Sequence, residues 1–526
     1  MRPTVWNPPI ELSVSEEKVA QRIRKAKLFL FLRQIRHELF DVEFQLELAK
    51  VFKDSSVGLC PVPPAQIALV IILQAYTGAS DDEAIEAMVM DRRWQLVLDC
   101  LDKEQAPFGK GTLVRFRAAL IACSGDRMLI ERTIEMAQMR QGFSSRTLRA
   151  ALDSSPLWGA ARVEDTYNLL GHALRKAIEI IAREQKQDLS AIASQAGADI
   201  VAGSSLKATL DLDWDDPQQK TQALTTILQT LNTVESWVTQ QTALPERTVT
   251  QAKQSLEDAR QIEAQDIEAE VPGSPKLVKG VAPNRRISIE DRDMRHGRKS
   301  RNQRFDGYKR HVLKDLDLGM VRAVGVTSAN QPEAEVTPAI ETDLQTQKVK
   351  LKELQIDRAY LTSHLVKQRD DDLTIVCKSW RVRNGKLFDK TAFILDWENS
   401  KILCPNGISL PFAPGQVIHF PKHQCNICPL HSECTNSKNG RSVSIHPDEL
   451  LLKELRERQS TDQGRAKLRE RVSVEHCLAK IGQWQGDQAR YIGLRKNLFD
   501  LRRIAVVHNL HVLAQIALTN SIIATS

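Results

Sequence analysis

The sequence lacks an apolar segment that could cross a membrane or direct secretion. Its longest apolar run, from Ile67 to Tyr76, is about half the length that a bilayer requires. The first residues, MRPTVWNPPIELS, contain no apolar core of a signal peptide. Nine cysteines in a chain of 526 residues are too few for a disulfide scaffold. These absences predict a protein of the reducing cytoplasm that does not associate with membranes.

The residues that are present give an ordinary globular composition with an uneven distribution of charge. Hydrophobic residues make up 42% of the chain and charged residues 26%, and the length predicts roughly three to four domains. The net charge is only +7, but the segment from Arg285 to Lys314 contains eleven Lys or Arg and four acidic residues. This basic segment predicts either a surface for a polyanion or a solvated face, since charge alone fits both.

The stretch from Phe305 to Tyr360 predicts the centre of an α/β fold. Two extended runs, FDGYKRHVL and MVRAVGVT, precede a helical pattern in which Thr337 and Pro338 suit the N-cap and the first helical position. The segment LKELQID then predicts a strand that delivers Asp357 at its end. Strand, strand, helix and strand in this order indicate a sheet with a crossover helix. The carboxyl end of a strand is where α/β sheets place their chemistry.

Residues 1–146 predict a compact helical domain that carries a basic helix. Ser80 suits the N-cap of one helix, and Gly109–Cys123 predicts another helix that is capped by a Thr residue. Arg115 and Arg117 project from this second helix. The arrangement fits either a DNA-binding module of the helix-turn-helix kind or a plain helical bundle.

The rest of the chain divides into further segments by its apolar pattern and its Pro and Gly residues. Ala150–Leu152 predicts a short buried strand that ends at Asp153 and is followed by a Ser-Ser-Pro loop. One long helix is predicted over about Gly464–Trp484, and an apolar helix over Asn497–Leu518. The expected segments are a first strand at 147–163, a helical insertion with a Pro/Gly linker at 164–284, a sheet core at 285–380, a cysteine-rich insertion at 381–450 and C-terminal helices at 451–526.

Three acidic residues, Asp153, Asp357 and Glu475, lie in separate predicted elements. Two aspartates on strands and a glutamate on a helix could converge on a pair of divalent ions, and oxygen-only ligands suit Mg²⁺ or Mn²⁺. Two such ions activate the attacking oxygen and stabilise the leaving oxygen in phosphodiester chemistry. Spacing alone is weak support for this triad, because an acid taken singly is more often a turn or cap residue.

Four longer segments carry a family resemblance. They are ALDSSPLWGAARVEDTYNLLGHALRKAI, DRDMRHGRKSRNQRFDGYKRHVLKDLDLGMVRAVGVTSANQPEAE, QIDRAYLTS and RVSVEHCLAKIGQW. In this order they resemble the DDE transposases of bacterial insertion sequences, and the resemblance runs from about Val62 through Leu510. More narrowly, the chain is similar to the group with a helical N-terminal domain and a four-cysteine insertion before the catalytic Glu.

The resemblance implies an RNase H-like core whose metal-binding triad falls on Asp153, Asp357 and Glu475. It implies hydrolytic nicking at the ends of the element, followed by attack of the freed 3′-hydroxyl on target DNA. The implied partners are double-stranded DNA, namely the terminal inverted repeats and the target, and further copies of the chain in a homodimer or higher assembly. The implied location is the bacterial nucleoid.

One departure from the family pattern lies on the predicted helix of the third acid. Related transposases carry Tyr-x2-Arg-x3-Glu-x6-Lys there; Arg471 and Glu475 match, whereas Leu468 and Gly482 replace the Tyr and the Lys. Arg471 is predicted to contact a DNA phosphate, and the alternative is an exposed i, i+4 ion pair that contributes roughly a few tenths of a kcal/mol. Whether the flanking strand is processed through a hairpin stays open. Glu470 is the next candidate for the third acid.

The basic segment that precedes and enters the first extended run predicts contacts with DNA phosphates. Arg and Lys side chains in such a segment can follow the backbone with salt-dependent and largely sequence-neutral affinity. The residues are Arg295, Arg298, Lys299, Arg301, Arg304, Lys309 and Arg310.

Four clustered cysteines predict a structural zinc site. They are Cys404, Cys425, Cys428 and Cys434. Their spacing includes one Cys-x2-Cys pair, and four thiolates in a loop-rich segment suit a closed tetrahedral site that would hold together an insertion without a core of its own. His423 and His431 are possible substitutes for one cysteine. An iron–sulfur cluster or a segment without metal are the alternatives.

The predicted fold is α/β, with an RNase H-like mixed sheet, an all-α N-terminal domain, a helical insertion and a small zinc-ribbon-like insertion. Two other functions stay open. One is an RNase H-like nuclease that cuts without joining, and the other is a non-catalytic DNA-binding protein descended from a transposase. The second is disfavoured because all three acids and the basic segment are intact.

Overall fold

The computed structural model describes residues 2–52, 60–141, 147–203, 205–269 and 275–525. The chain forms two compact units, and each combines separate stretches of sequence. The first unit consists of Met1–Arg146, Asp153–Val349 and Cys477–Ser526, and the second of Thr147–Leu152 and Lys350–His476. A helical N-terminal region and a mixed sheet confirm the predicted α/β class. Among the described helices, none combines the length and the apolar character that crossing a bilayer takes.

The N-terminal part of the first unit is helical. The helices are α1 (Val14–Arg22), α2 (Lys27–Leu39), α3 (Val42–Ala49), α4 (Pro64–Thr77), α5 (Asp81–Met90), α6 (Arg92–Leu98), α7 (Lys110–Ala122) and α8 (Asp126–Gln141). The predicted cap at Ser80 is confirmed, because its side chain accepts the N–H of Glu83 in a capping box. The predicted Thr cap of α7 is wrong: the helix begins at Lys110, before the threonine, and its N-cap is Gly109.

A strand and a helical insertion follow. Strand β1 (Thr147–Trp158) precedes the helices α9 (Thr166–Gln185), α10 (Leu189–Gln195), α11 (Leu206–Leu210), α12 (Pro217–Thr239) and α13 (Glu246–Asp266). Apolar residues at helical spacing close a hydrophobic core within this insertion, which confirms its predicted helices. The predicted linker at 271–284 begins outside the described residues. Its later part includes the short strand β3 (Pro275–Leu277), which pairs with β2 (Ile267–Ala269).

The predicted Ser-Ser-Pro loop after Asp153 is wrong, since β1 continues through these residues to Trp158. The extension neighbours β5 (Arg304–Asp315). Its end is held by two hydrogen bonds, from the N–H of Trp158 to the carbonyl of Asp487 and from the N–H of Ala489 to the carbonyl of Trp158. Backbone pairing in the folded unit therefore overrides the turn preference of the sequence.

Strand β5 is the centre of the sheet in the first unit. It pairs antiparallel with β4 (Arg295–Arg298) and with β6 (Val321–Ser328). At Gly307 the φ angle is +149°, and a Cβ there would lie 2.3 Å from the backbone nitrogen of Gly159. Only glycine permits this close approach to the end of β1.

The crossover helix of the first unit is α14 (Thr337–Thr346). Its predicted apolar face is buried, but Thr337 is its first residue and Val336 its N-cap, so the predicted cap is one residue late. A 3₁₀ turn at Glu333–Val336 leads into the helix and accounts for the shift.

The second unit contains a parallel part of the sheet. Strand β7 (Lys350–Ile356) pairs with the first half of β1, where Leu152 is the partner of Ile356. It also pairs with β8 (Thr374–Cys377), and the short helix α15 (His364–Lys367) connects the two strands. The predicted strand that ends near Asp357 is thereby confirmed.

The cysteine-rich segment consists of short elements around a small core. They are β9 (Ile394–Asp396), β10 (Lys401–Leu403), β11 (Ser409–Pro411), β12 (Val417–His419), α16 (Lys422–Asn426), α17 (His431–Cys434) and β13 (Ser442–Ser444). The expectation that this insertion lacks its own core is wrong. Aromatic and aliphatic side chains, among them Phe393, Phe412 and Phe420, form a separate hydrophobic cluster.

Four helices complete the chain. They are α18 (Glu449–Ser460), α19 (Asp462–Glu470), α20 (Val472–Gln485) and α21 (Leu494–Thr525). The single predicted helix over Gly464–Trp484 is wrong, because α19 ends at Glu470 and α20 begins two residues later. The last helix is apolar as predicted, and its first half is buried in the core of the first unit.

Candidate active site and metal-binding residues

Asp357 lies at the carboxyl end of β7, as the sequence predicts. It follows Ile356, is exposed, and its Oδ1 accepts the backbone N–H of Arg358 at 2.6 Å. The carboxylate caps the short 3₁₀ turn at Arg358–Tyr360, which fixes the direction in which the chain leaves the strand. An exposed carboxylate at a strand end can bind a solvated cation without a large loss of its own hydration.

The thiol of Cys377 shows which charges surround the ends of β7 and β8. Burial raises the pKa of this thiol to about 12, and the negative charge of Asp357 acts in the same direction. Arg358 and Arg471 act against it. Since Cys377 ends β8 and is the partner of Ile356, these charged groups gather at one edge of the second unit.

Glu475 lies in the first turn of α20 and is ion-paired with Arg471. The distance from Nη2 of Arg471 to Oε1 of Glu475 is 2.7 Å, and the glutamate side chain is 47% exposed. The pair is therefore the exposed i, i+4 arrangement that was the alternative to a phosphate contact. Its strength is small, because solvent screens both charges.

Asp153 belongs to the first unit and is half-buried within β1, where its Oδ1 accepts the N–H of Ser154. The hydroxyl of Ser154 donates to Glu333 at 2.9 Å, and Lys309 lies 3.9 Å from the same carboxylate. Sequence reasoning does not single out Glu333. Its only signal is a place in the segment QPEAE, directly before the crossover helix.

Glu470, the alternative third acid, takes part in a network of the second unit. Its Oε2 accepts hydrogen bonds from Arg149 at 2.7 Å and from Gln355 at 3.1 Å. The same network holds the buried Glu353, which accepts bonds from Lys467, Gln355 and Arg149. Burial alone would raise the pKa of Glu353, but these three bonds outweigh it and hold the pKa below its ordinary value.

The predicted DNA-binding residues of the basic segment separate into an exposed and an internal group. The structure places the segment in the hairpin of β4 and β5, and β4 itself was not predicted. Four cations are exposed along and beyond the paired strands: Arg298, Lys299, Arg301 and Arg304. We call them the hairpin cations.

The other three cations of the segment have partners inside the first unit. Arg295 is buried and donates to Asn284, and Arg310 is buried and donates to Ser155 at 2.7 Å. Lys309 is half-buried and donates to the carbonyl of Gln331. The side chains of Arg295 and Arg310 thus connect elements of the unit, which limits what they can offer to DNA.

The two arginines of α7 also differ in exposure. Arg115 is exposed. Arg117 is 11% exposed and donates to the hydroxyl of Tyr491 and to the carboxylate of Asp81. Of the pair, Arg115 is therefore the residue that is open to a DNA backbone.

The four predicted zinc ligands line one cavity of about 20 Å³ in the cysteine-rich segment. The residues are Cys404, Cys425, Cys428 and Cys434, and all are free thiols. His431 lines the same cavity, and its Nδ1 lies 2.8 Å from the carbonyl oxygen of Cys425. The N–H of Ile408 donates to the Cys404 sulfur at 3.3 Å.

The thiols of this cavity influence one another. Burial raises the pKa of the Cys434 thiol; Arg441 opposes this effect, and the charges of the three other thiols add to it. Even so, among the residues that the structure describes, no three His, Cys, Asp or Glu side chains converge closely enough to hold a metal ion. This applies to the cysteines and to the acids alike.

Two family comparisons match separate parts of the chain. The family described as Transposase DDE domain matches residues 403–514, which include the four cysteines and Glu475. The family described as Transposase domain (DUF772) matches residues 17–119, within the N-terminal helices. No curated protein matches the chain, and no solved structure matches it. Both matched families are described as transposase domains, and each match covers less than half of the chain. The two matches together indicate a DDE transposase of the insertion-sequence type.

Proposed function

We propose that the chain cleaves DNA at the ends of its element and joins the freed ends to target DNA, with Mg²⁺ or Mn²⁺ and the triad Asp153, Asp357 and Glu475. The observation that carries the proposal is the edge of the second unit. There the exposed Asp357 and Arg471, the ion-pair partner of Glu475, both influence the pKa of the Cys377 thiol. The family match over residues 403–514 includes Glu475, which supports its assignment as the third acid.

The position of the two aspartates in sequence and register supports an RNase H-like core. Leu152 and Ile356 are partners in the parallel pairing of β1 and β7. Asp153 and Asp357 are the residues that follow these two partners along the chain. Carboxylates that follow adjacent parallel strands suit a site at a sheet edge.

The donor chemistry of the triad fits a divalent ion of the magnesium kind. All three groups are carboxylates, and Asp357 and Glu475 are exposed to water. Bound Mg²⁺ would activate the attacking oxygen and stabilise the leaving oxygen. Glu475 must turn from Arg471 to serve as a ligand, and the exposed ion pair that it leaves costs roughly a few tenths of a kcal/mol.

The hairpin cations and Arg115 supply contacts for the DNA backbone in this proposal. Exposed Arg and Lys side chains bind phosphates without reading the sequence, and each contact adds to the salt dependence of binding. Recognition of the terminal repeats and the assembly of two or more copies on paired ends then follow from the transposase family.

The proposal includes the four cysteines as ligands of a structural zinc ion in a zinc-ribbon-like insertion, and their side chains would have to come closer together to bind it. Their cavity is apolar, is lined by all four thiols and exceeds the space that one small ligand needs. Bound zinc would hold them as thiolates and join the turn around Cys404 to α16, to α17 and to the turn between these helices, which carry the other three cysteines. The phenylalanine core of the segment provides the rest of its stability.

The experiment that tests the proposal is cleavage of a duplex that carries the end of the element, taken from the DNA beside the gene. Wild type and Glu475→Gln are compared with Mg²⁺, Mn²⁺, Ca²⁺ and EDTA. Glu457→Gln is the matched control, because Glu457 is an exposed helical glutamate of the same unit. We expect cleavage with Mg²⁺ or Mn²⁺ that is lost only in Glu475→Gln.

Two other results would change the proposal. Cleavage that survives Glu475→Gln would move the third acid, first to Glu470. Absence of cleavage by folded, DNA-binding protein would overturn the enzymatic proposal and favour the non-catalytic descendant of a transposase. A strand-transfer assay with pre-cleaved ends and a target plasmid then separates a transposase, which joins them, from a nuclease, which does not.

A further inference from the structure

The segment that follows β8 combines an exposed indole ring with several positive charges. Trp380 is 41% exposed, and Lys378, Arg381 and Arg383 are exposed as well. In the described part of the chain, the side chains of Trp380, Arg381 and Arg383 have no hydrogen-bond or ion-pair partner. A single exposed apolar side chain is common on protein surfaces, so the surroundings of the indole decide whether it marks a binding site.

Trp380 and its neighbours line an open groove of about 380 Å³ in the second unit. Arg381 and Arg383 line the groove together with Arg456, which is paired with the buried Glu449 at 2.9 Å. Asp389 is the acidic residue among the lining residues. The lining therefore carries an excess of positive charge beside one large aromatic surface, which is the composition of a groove that binds single-stranded nucleic acid.

The groove is formed before a ligand binds, because hydrogen bonds hold Ser379, the first of its lining residues, in place. Ser379 is buried, and its backbone N–H and its hydroxyl both donate to Oε1 of Gln459, at 3.0 and 2.8 Å. Ser379 points inward, and Trp380, the next residue, is exposed. A backbone that is already ordered loses less conformational entropy on binding.

The groove opens next to the edge that carries Asp357. The thiol of Cys377, the last residue of β8, is within the electrostatic influence of Asp357. Trp380 follows Cys377 by three residues, and three extended residues span at most about 11 Å. A nucleotide in the groove would thus lie near the proposed site of cleavage, and this placement rests on the proposed function.

We propose that this groove binds an unpaired stretch of one DNA strand, with Trp380 stacked on a base and Arg381 and Arg383 in contact with phosphates. The indole ring has two flat faces, and a base can stack on them only when it has left the duplex stack. Stacking of this kind accepts any base, so the groove would hold the strand without reading its sequence.

The test is the affinity of the full-length protein for a labelled oligothymidine of about 20 nucleotides and for a duplex of the same length, in EDTA over a series of salt concentrations. Trp380→Ala should weaken binding of the single strand about 5- to 150-fold, while Trp380→Phe should retain most of the affinity. Binding of the duplex should change less than about twofold. Arg381→Gln with Arg383→Gln should reduce the slope of log affinity against log salt by about 0.7 per contact.

Matched controls in the same unit separate these effects from general changes. Val417→Ala removes an exposed apolar side chain outside the groove, and the pair Lys401→Gln and Lys422→Gln removes two exposed charges outside it. Both controls should bind the single strand as wild type does. A control that weakens binding as much as its groove counterpart would overturn the assignment of the groove.

Two further outcomes distinguish failure of the groove proposal from failure of the proposed function. If the wild type cleaves DNA with Mg²⁺ but Trp380→Ala binds the single strand normally, the groove proposal is overturned and the transposase proposal stands. If binding depends on Trp380 as expected but the wild type does not cleave, the groove stands and the enzymatic proposal fails. An equal loss of single-strand and duplex affinity in Trp380→Ala would also overturn base stacking.

Discussion

The two groups of predicted metal ligands differ in how the chain assembles them. The four cysteines belong to one short segment of the second unit and line one apolar cavity. The three acids come from two strands and a helix, with Asp153 in the first unit and Asp357 and Glu475 in the second. Asp357 and Glu475 are exposed, whereas Cys425 is buried and its partner thiols are partly so.

This difference predicts separate roles for the four cysteines and the three acids. Thiols that share a small apolar cavity suit a closed site, in which the metal stabilises the fold and has no open position. Exposed carboxylates that still carry water and a weak ion pair suit an open site, in which metal and DNA enter together. Loss of a carboxylate should therefore affect chemistry and leave stability, and loss of a thiol should affect stability first.

The largest effect is expected for Asp357→Asn, which removes a negative ligand but keeps its shape. Cleavage of an element-end duplex should fall at least about 1000-fold, because metal stabilisation of the transition state contributes several kcal/mol. The affinity for DNA and the unfolding midpoint should stay close to wild type. Asp371→Asn, at another exposed aspartate of the second unit, is the control and should cleave normally. Cleavage by Asp357→Asn would exclude this residue from the triad.

A somewhat smaller effect, on stability, is expected for Cys428→Ser. Wild type should contain about one zinc ion per chain, and the variant should contain none when metal is measured by mass spectrometry. The second unit should lose about 3 kcal/mol of unfolding free energy, a fraction of what zinc contributes to small zinc-finger peptides, because the phenylalanine core remains. Cys123→Ser, at an exposed cysteine of the first unit, should keep its zinc and its stability. Wild type without zinc but equally stable would refute the site.

A third prediction concerns the buried acid next to Glu470. Glu353→Gln should lower the unfolding free energy by about 1–2 kcal/mol, since two of the partners of Glu353, Arg149 and Lys467, stay about one-third exposed and are screened. The pKa of Glu353 is lower in the folded chain than its ordinary 4.5, so its contribution is present above about pH 4.5 and is lost as the pH falls through the folded value.

The measurement is denaturant unfolding of wild type and Glu353→Gln over a range of pH. The difference between the two should be constant near neutral pH and should shrink below about pH 4.5. A difference that grows in acid would mean that the pKa of Glu353 is raised rather than lowered. Glu454→Gln, at an exposed glutamate of α18, should show no such dependence.

The sequence predicts those elements whose local pattern and tertiary surroundings agree. The helices of the insertion, the strand before Asp357 and the apolar last helix all have a clear period, and the folded chain buries the face that each period defines. The cap at Ser80 is predicted for the same reason, because its partner Glu83 lies three residues away in the chain. In these cases the deciding interactions are local.

The elements that sequence reasoning gets wrong depend on distant partners. The Ser-Ser-Pro residues of β1 have the composition of a turn, and the neighbouring strand and the backbone bonds of Trp158 with Asp487 and Ala489 keep them extended. The core of the cysteine-rich segment is built from phenylalanines that lie directly before or after separate short strands, which no period reveals. In the sequence Arg310 is one more cation of the basic segment, but its side chain is buried inside the first unit, where it donates to Ser155.

The smallest change in unfolding free energy is expected for Arg471→Gln, and this variant also tests whether Glu475 binds a metal. Its ion pair with Glu475 is exposed, so the unfolding free energy should change by only about 0.3–0.5 kcal/mol. Lys453→Gln breaks a similar exposed i, i+4 pair on α18 and should match that change.

DNA binding should separate Arg471→Gln from Lys453→Gln, because only Arg471 lies at the edge that carries Asp357. Ca²⁺ is used here to occupy the metal site while the DNA stays uncleaved. A metal bound to Glu475 would free Arg471 from its ion pair, so that Arg471 could contact a phosphate. In Ca²⁺, Arg471→Gln should therefore reduce the slope of log affinity against log salt by about 0.9, whereas in EDTA the reduction should be smaller. Equal slopes for both variants under both conditions would exclude a contact between Arg471 and a DNA phosphate. They would also indicate that the ion pair with Arg471, and not a metal, holds the Glu475 carboxylate when DNA binds.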